Sequence, residues 1–95
     1  MAKGYIVADI HVREKEGFEK FREMALPVIK EYGAKILVRT PNVEAREGKK
    51  PGVVVVLEFD SMDQARKFYE SEGYQAAKAV REKACDTDLL IAEGV

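Results

Sequence analysis

The chain has 95 residues, 46% apolar and 35% charged, with a net charge of −1, the balance of a globular rather than a disordered protein. Near-neutrality argues against nucleic acid as a partner: Lys49-Lys50 and Arg46, the densest basic stretch, stand among Glu44 and Glu47 and form no track for phosphates. The single cysteine, Cys85, excludes an intrachain disulfide and fits a reducing, cytoplasmic setting, while no apolar run approaches the roughly 20 residues of a membrane span.

The opening MAKGYIVADIHV is interrupted by Asp9 and His11 and does not read as a signal peptide. Residues 1–95 are expected to form one domain. A chain of this size buries only roughly 60–70% of the surface its unfolded form exposes, so a partner subunit would help it. Asn and Gln are scarce against Lys, Arg and Glu, a compositional lean toward thermophile proteins.

Residues 4–12 alternate as a strand, with Ile6, Ala8, Ile10 and Val12 on one face and Tyr5, Val7, Asp9 and His11 on the other. Residues 16–32 carry Phe18, Phe21, Ala25, Val28, Ile29 and Tyr32 at helical spacing. Pro27 lies inside that pattern and predicts a kink or a restart, because it lacks an N–H and crowds the carbonyl four residues back. Gly33 suits a left-handed stop. Residues 34–40 read as a second strand, placing Ile36 and Val38 on one face and Lys35, Leu37 and Arg39 on the other. The polar stretch from Pro41 to Gly52 is longer than a tight hairpin needs, and long ordered loops are often functional. Residues 53–59 are apolar on both faces, which predicts a central strand.

Ser61 followed by Gln64 signals a helix start. The helix carries Ala65, Phe68 and Tyr69, and Ser71 and Gly73 interrupt it. Ser71 can cap a second segment bearing Ala76, Ala79 and Val80. Asp86-Thr87-Asp88 reads as a turn and residues 88–93 as a last strand.

Right-handed crossovers in this order put both helices on one face of a four-stranded antiparallel sheet, the ferredoxin-like βαββαβ sandwich of the α+β class. The bare face then receives Tyr5, Val7, Leu37, Val54 and Val56, with one or two residues of the segment from Leu89 to Ala92. A water-facing sheet should be polar, so this apolar face predicts a homodimer, sheet against sheet. The alternative is a monomer with some of these residues under loops.

Two groups of side chains carry candidate chemistry. Asp9 and His11 share a strand face, and Glu58 is expected on the same face of a third strand running parallel to the first, so that a carboxylate beside an imidazole would suit proton transfer. Against that stands the structural alternative of ion pairs at the dimer edge. Arg39, expected at the opposite end of the sheet, either takes an acidic ligand with its planar fork or pairs with Glu47 in the loop. Tyr74 and Arg81 lie two helical turns apart, and the expectation is that Tyr74 packs and Arg81 bridges an acidic neighbour. Tyr5 should face the space between paired sheets, as a ligand contact or an interface aromatic.

One histidine and one distant cysteine make no structural zinc site, and no metal is expected. No phosphate loop, dinucleotide fingerprint or serine elbow is present. His11 on a strand suits a haem poorly, so no cofactor is expected. Cys85 beside Asp86 should be inert, because the neighbouring charge disfavours a thiolate.

The chain resembles the domain of unknown function 1330 family, within the dimeric α+β barrel superfamily. The resemblance rests on Gly4-Tyr5, Tyr32-Gly33, the run from Leu37 to Arg39, Glu47-Gly48, the strand from Val54 to Phe59, the segment from Ser71 to Lys78, Arg81, and the ending Glu93-Gly94-Val95. Where the family often shows an Arg-Gly-Gly turn, this chain has Arg39-Thr40-Pro41. The resemblance implies a ferredoxin-like fold and a face-to-face dimer, and it raises Arg39, Glu47, Tyr74 and Arg81 as a group. It implies no established reaction.

The first functional reading is a dimeric protein that binds a small organic molecule, an acid among the options, between sheet and helices, with Tyr5, Arg39, Glu47, Tyr74 and Arg81 as ligand contacts. The alternatives are a cofactor-free isomerase or monooxygenase using His11 with Asp9 or Glu58, and a structural dimer without ligand.

Overall fold

The computed structural model describes residues 2–95. The elements run β1 (Gly4–Val12), α1 (Lys15–Glu31), β2 (Lys35–Thr40), β3 (Val53–Phe59), α2 (Met62–Glu70), α3 (Glu72–Ala84) and β4 (Cys85–Glu93). The strands form one antiparallel sheet in the order β2-β3-β1-β4, the ferredoxin-like arrangement. The molecule is 16 Å across its shortest axis, room for one helix layer on one sheet and no second layer.

Alternation sets the two faces. Ile6, Ala8 and Ile10 of β1 lie opposite Leu57, Val55 and Val53 of β3, and opposite Ile91, Leu89 and Thr87 of β4. Directly paired residues share a face, and this one lies under the helices. Phe21, Ala25 and Val28 of α1, Ala65 and Phe68 of α2, and Tyr74, Ala77 and Ala84 of α3 close the core over it. The two caps read from the sequence are in place: Ser61 Oγ accepts from the Gln64 N–H at 3.1 Å and Ser71 Oγ from the Tyr74 N–H at 3.2 Å. Gly33 ends α1 at φ +68°, where any side chain would be strained.

The structure departs from the sequence reading in four places. α1 runs unbroken through Pro27 instead of restarting. Its buried stripe continues on both sides of the proline, with Phe21 and Ala25 before it and Val28 after, so packing offsets the lost hydrogen bond. β4 begins at Cys85, three residues earlier than expected. Asp86, Thr87 and Asp88 are strand residues because they pair with His11, Ile10 and Asp9. β3 runs antiparallel to β1, not parallel: it sits between β1 and β2, which the α1 crossover makes parallel to each other.

The fourth departure is a bulge in β2. Ile36 pairs with Leu57 but Val38 pairs with Val56, so Leu37 is an extra residue. A one-residue shift exchanges the two faces. Val38 therefore lies opposite Val56 on the bare face, and Arg39 lies opposite Val55 on the helix face.

Candidate functional site

The bare face carries the first group of candidates, and the antiparallel register divides it. Asp9 is paired with Val54 at one end, while Glu58 is paired with Tyr5 at the other. The Tyr5 hydroxyl donates to Glu58 Oε2 at 2.9 Å, and this bond to a carboxylate pushes the tyrosine pKa up. Lys3 Nζ stands 3.9 Å from Glu58 Oε1. Glu58 is thus occupied at the far rim and is not a partner for His11.

Asp9 and His11 do meet. His11 Nε2 is 3.4 Å from Asp9 Oδ2, with the imidazole half exposed. The other carboxylate oxygen of Asp9 accepts the Gly52 N–H at 2.7 Å and so ties the end of the long loop to β1. Gly52 is required there, because a Cβ would run into the Ile10 carbonyl. Asp86 and Asp88 pair with His11 and Asp9 from β4. Among the described residues no group of three or more His, Cys, Asp and Glu side chains is placed to hold a metal.

The second group lies on the other side of the sheet. A cavity of about 60 Å³ opens between the sheet and α1, with Ile6, Ala8, Ile10, Val55 and Leu57 as its floor and Phe18, Phe21 and Ile29 among its walls. Arg39, Tyr74 and Arg81 all line it, as does Arg22, and among the described residues no acidic side chain does. Arg39 reaches this space only because of the bulge in β2. It lies at the same end of the sheet as Asp9, not the opposite end, and on the other face. Arg22, Leu26 and Arg39 are shared with a groove that runs out past Glu19 and Glu23, so these residues form the mouth.

Arg81 sits deep in the structure at 4% exposure. No carboxylate approaches it within ion-pair distance among the described residues, which corrects the expectation that it bridges an acidic neighbour. Its Nη1 donates to the Tyr74 hydroxyl. The rings of Phe21 and Tyr74 lie against the guanidinium, with centroids 5.4 and 5.8 Å from its carbon. Its Nε–H is shielded and has no partner among the described residues. Burial pushes the Tyr74 pKa up, against the lowering pull of Arg81, so the hydroxyl keeps its proton at neutral pH.

Two candidates stand apart. Glu47 is exposed in the long loop and makes no ion pair with Arg39 among the described residues; the pair found in that loop joins Arg46 to Glu44 at 2.9 Å. Tyr5 belongs to the bare face, engaged with Glu58. Cys85 is buried, and burial first, with Asp86 a lesser cause, pushes its thiol pKa up, which keeps it an inert thiol at neutral pH. Sequence reasoning overlooked Arg22. Its signal is its place four residues after Phe18 and four before Leu26, at the margin of the apolar stripe; its guanidinium lies 5.9 Å from the Phe18 ring centroid.

Solved structures share this fold. A protein of unknown function from Rhodopseudomonas palustris aligns over 99% of this chain and 83% of its own, with a TM-score of 0.80 at 15% identity. The cofactor-independent oxygenase SnoaB from Streptomyces nogalater aligns over 97% and 92%, with a TM-score of 0.71 at 12% identity. A dimeric protein of unknown function with a ferredoxin-like fold, from Bacteroides fragilis, aligns over 96% and 95%, with a TM-score of 0.64 at 12% identity. Likeness at these identities establishes the fold and nothing more about activity. No protein of curated function matches the chain. A family model covers residues 3–95, nearly the whole sequence, and the chain belongs to that family, the domain of unknown function DUF1330.

Proposed function

We propose that the protein is a homodimer, paired through its bare sheet face, that binds a small organic acid in the cavity between sheet and helices. The observation that carries the ligand reading is the cavity lining: apolar side chains with three arginines and one tyrosine, and no acidic residue among the described residues of that lining. A lined pocket with a few convergent polar groups is the usual form of a small-molecule site. Arg22 and Arg39 at the mouth, beside Glu19 and Glu23 of the outer groove, offer planar forks to a carboxylate, and the floor favours an apolar body. Arg39→Ala tests this. It should weaken an acidic ligand about twofold to fivefold, the worth of one exposed charge near the ligand, and unchanged affinity removes Arg39 from the site.

The dimer reading rests on Val7, Val54, Val56, Leu90 and Ala92, which form a contiguous strip on three adjacent strands. Leu90 is 55% exposed in the single chain, and such a strip is usually covered. Light scattering on the protein and on Val56→Asp is the test. A dimer of the wild type and a monomer of the variant are expected, because a carboxylate buried at the centre of the strip has no counter-ion. A folded, monomeric wild type discards the dimer. A buried free thiol and the absence of a helix long and apolar enough to cross a membrane among the described residues support a cytoplasmic setting. The even spread of charge speaks against a nucleic-acid partner.

A second reading, a cofactor-free oxygenase or isomerase, is favoured by the likeness to SnoaB and by the 3.4 Å approach of His11 to Asp9. It predicts that the His11 imidazole resonances shift when ligand is added at fixed pH. Imidazole resonances indifferent to ligand eliminate it.

A further inference from the structure

We propose that the inner end of the cavity is a carboxylate seat, formed by Arg81 and Tyr74, for a short-chain aliphatic monocarboxylate. The proposal rests on the cavity reading above and narrows it to a chemical class.

Two donors meet at this point without an acceptor. Arg81 Nε–H has no hydrogen-bond partner among the described residues. Tyr74 uses its oxygen to accept from Arg81 Nη1, which leaves its own O–H proton with no acceptor among the described residues. A hydroxyl can accept and donate at once, whereas a guanidinium only donates. What completes the site must therefore accept hydrogen bonds, and since Arg81 is buried and makes no ion pair among the described residues, not even with Glu82, Asp86 or Asp88 of the groove it also borders, an anion suits it best. The N–H groups of a guanidinium lie in its plane, so an acceptor meets Arg81 along its edge, beside the Phe21 and Tyr74 rings, whose centroids are 5.4 and 5.8 Å from its carbon. Edge-on pairing is the geometry of a carboxylate.

Size and lining choose among acids. A cavity of about 60 Å³ that opens at a mouth formed by Arg22, Leu26 and Arg39 suits a short chain better than a bulky body. Next to the seat the floor is Ile6, Ala8 and Leu57, and the remaining arginines, Arg22 and Arg39, belong to the mouth. A phosphate or a short dicarboxylate held at the seat would press charged oxygens against that floor. A monocarboxylate lays its methylenes there.

The test follows the Arg81 Nε–H resonance and the Ile10 and Leu57 methyl resonances of the intact protein by NMR, during titration with butyrate, butyramide, succinate and inorganic phosphate. Butyrate is expected to shift all three saturably, with the other three compounds binding at least tenfold more weakly. Tyr74→Phe should weaken butyrate about fivefold to tenfold with an unchanged far-UV spectrum. Butyramide equal to butyrate overturns charge recognition, and succinate or phosphate equal to butyrate overturns the monocarboxylate assignment. In those cases methyl shifts still report an occupied cavity, and the broader reading survives. If none of the four compounds moves any cavity resonance, the seat and the cavity reading fall together.

Discussion

Phe68→Ala should lower the thermal midpoint by at least about 12 °C and come close to unfolding the protein at physiological temperature. Phe68 is 1% exposed and one of only two buried residues of α2, the other being Ala65. Its ring lies 4.7 Å from that of Tyr74, 5.1 Å from Phe59 and 6.0 Å from Tyr32, so it joins α2 to α3, to the sheet and to the end of α1. Truncating a buried Phe to Ala costs about 3–5 kcal/mol, and a domain of this length loses about 4–8 °C per kcal/mol. Phe68 also borders the cavity, and the void left by Ala would merge with it. Phe68→Leu keeps much of the volume and should lose far less. Circular dichroism melts at one protomer concentration measure both, since a dimer's midpoint depends on concentration. A fall of only a few degrees for Phe68→Ala would mean that the aromatic cluster is not the keystone of the helix layer.

The double variant Arg81→Met/Tyr74→Phe should have the opposite sign: more stable than wild type by about 1–3 kcal/mol, with butyrate binding abolished. A buried cation that makes no ion pair among the described residues opposes folding, and replacing buried charged groups with well-packed apolar ones is often stabilising by about 1–4 kcal/mol. Met occupies the path of the arginine stem, and Phe keeps the ring that packs on Phe21 and Phe68. Both changes are needed together. Arg81→Met alone strands the Tyr74 hydroxyl in the core, a penalty of about 1–3 kcal/mol that would hide the gain. Stability gained as binding is lost is the signature of a residue kept for a ligand. A double variant less stable than wild type would make Arg81 a structural residue, held by its contacts with the two rings and the hydroxyl.

Local chemistry settles much of this architecture. Alternation in β1 and β3, the helical stripe of α1, Ser61 and Ser71 as caps and Gly33 as a stop are each decided within a few residues. Each is legible because neighbouring side chains, not distant ones, determine it. The face of Arg39 is different. It depends on the bulge at Leu37, which arises from pairing with β3 and leaves no mark in the local pattern. The spread of Asp9 and His11 from Glu58 likewise follows from strand direction, a property of the whole topology.

The amino-acid sequence alone therefore determined the element order, the core face of β1 and β3, the apolar bare face and the family. Tertiary structure decided what those elements bring together. It divided the carboxylates between the two ends of the sheet and drew Asp9 onto the loop at Gly52. It also carried Arg22, Arg39, Tyr74 and Arg81 from three separate elements to one cavity without a carboxylate. The physical reason is range. Periodicity and capping act over one or two turns of chain, whereas the charge balance of a cavity is a sum over side chains that only the folded register makes neighbours.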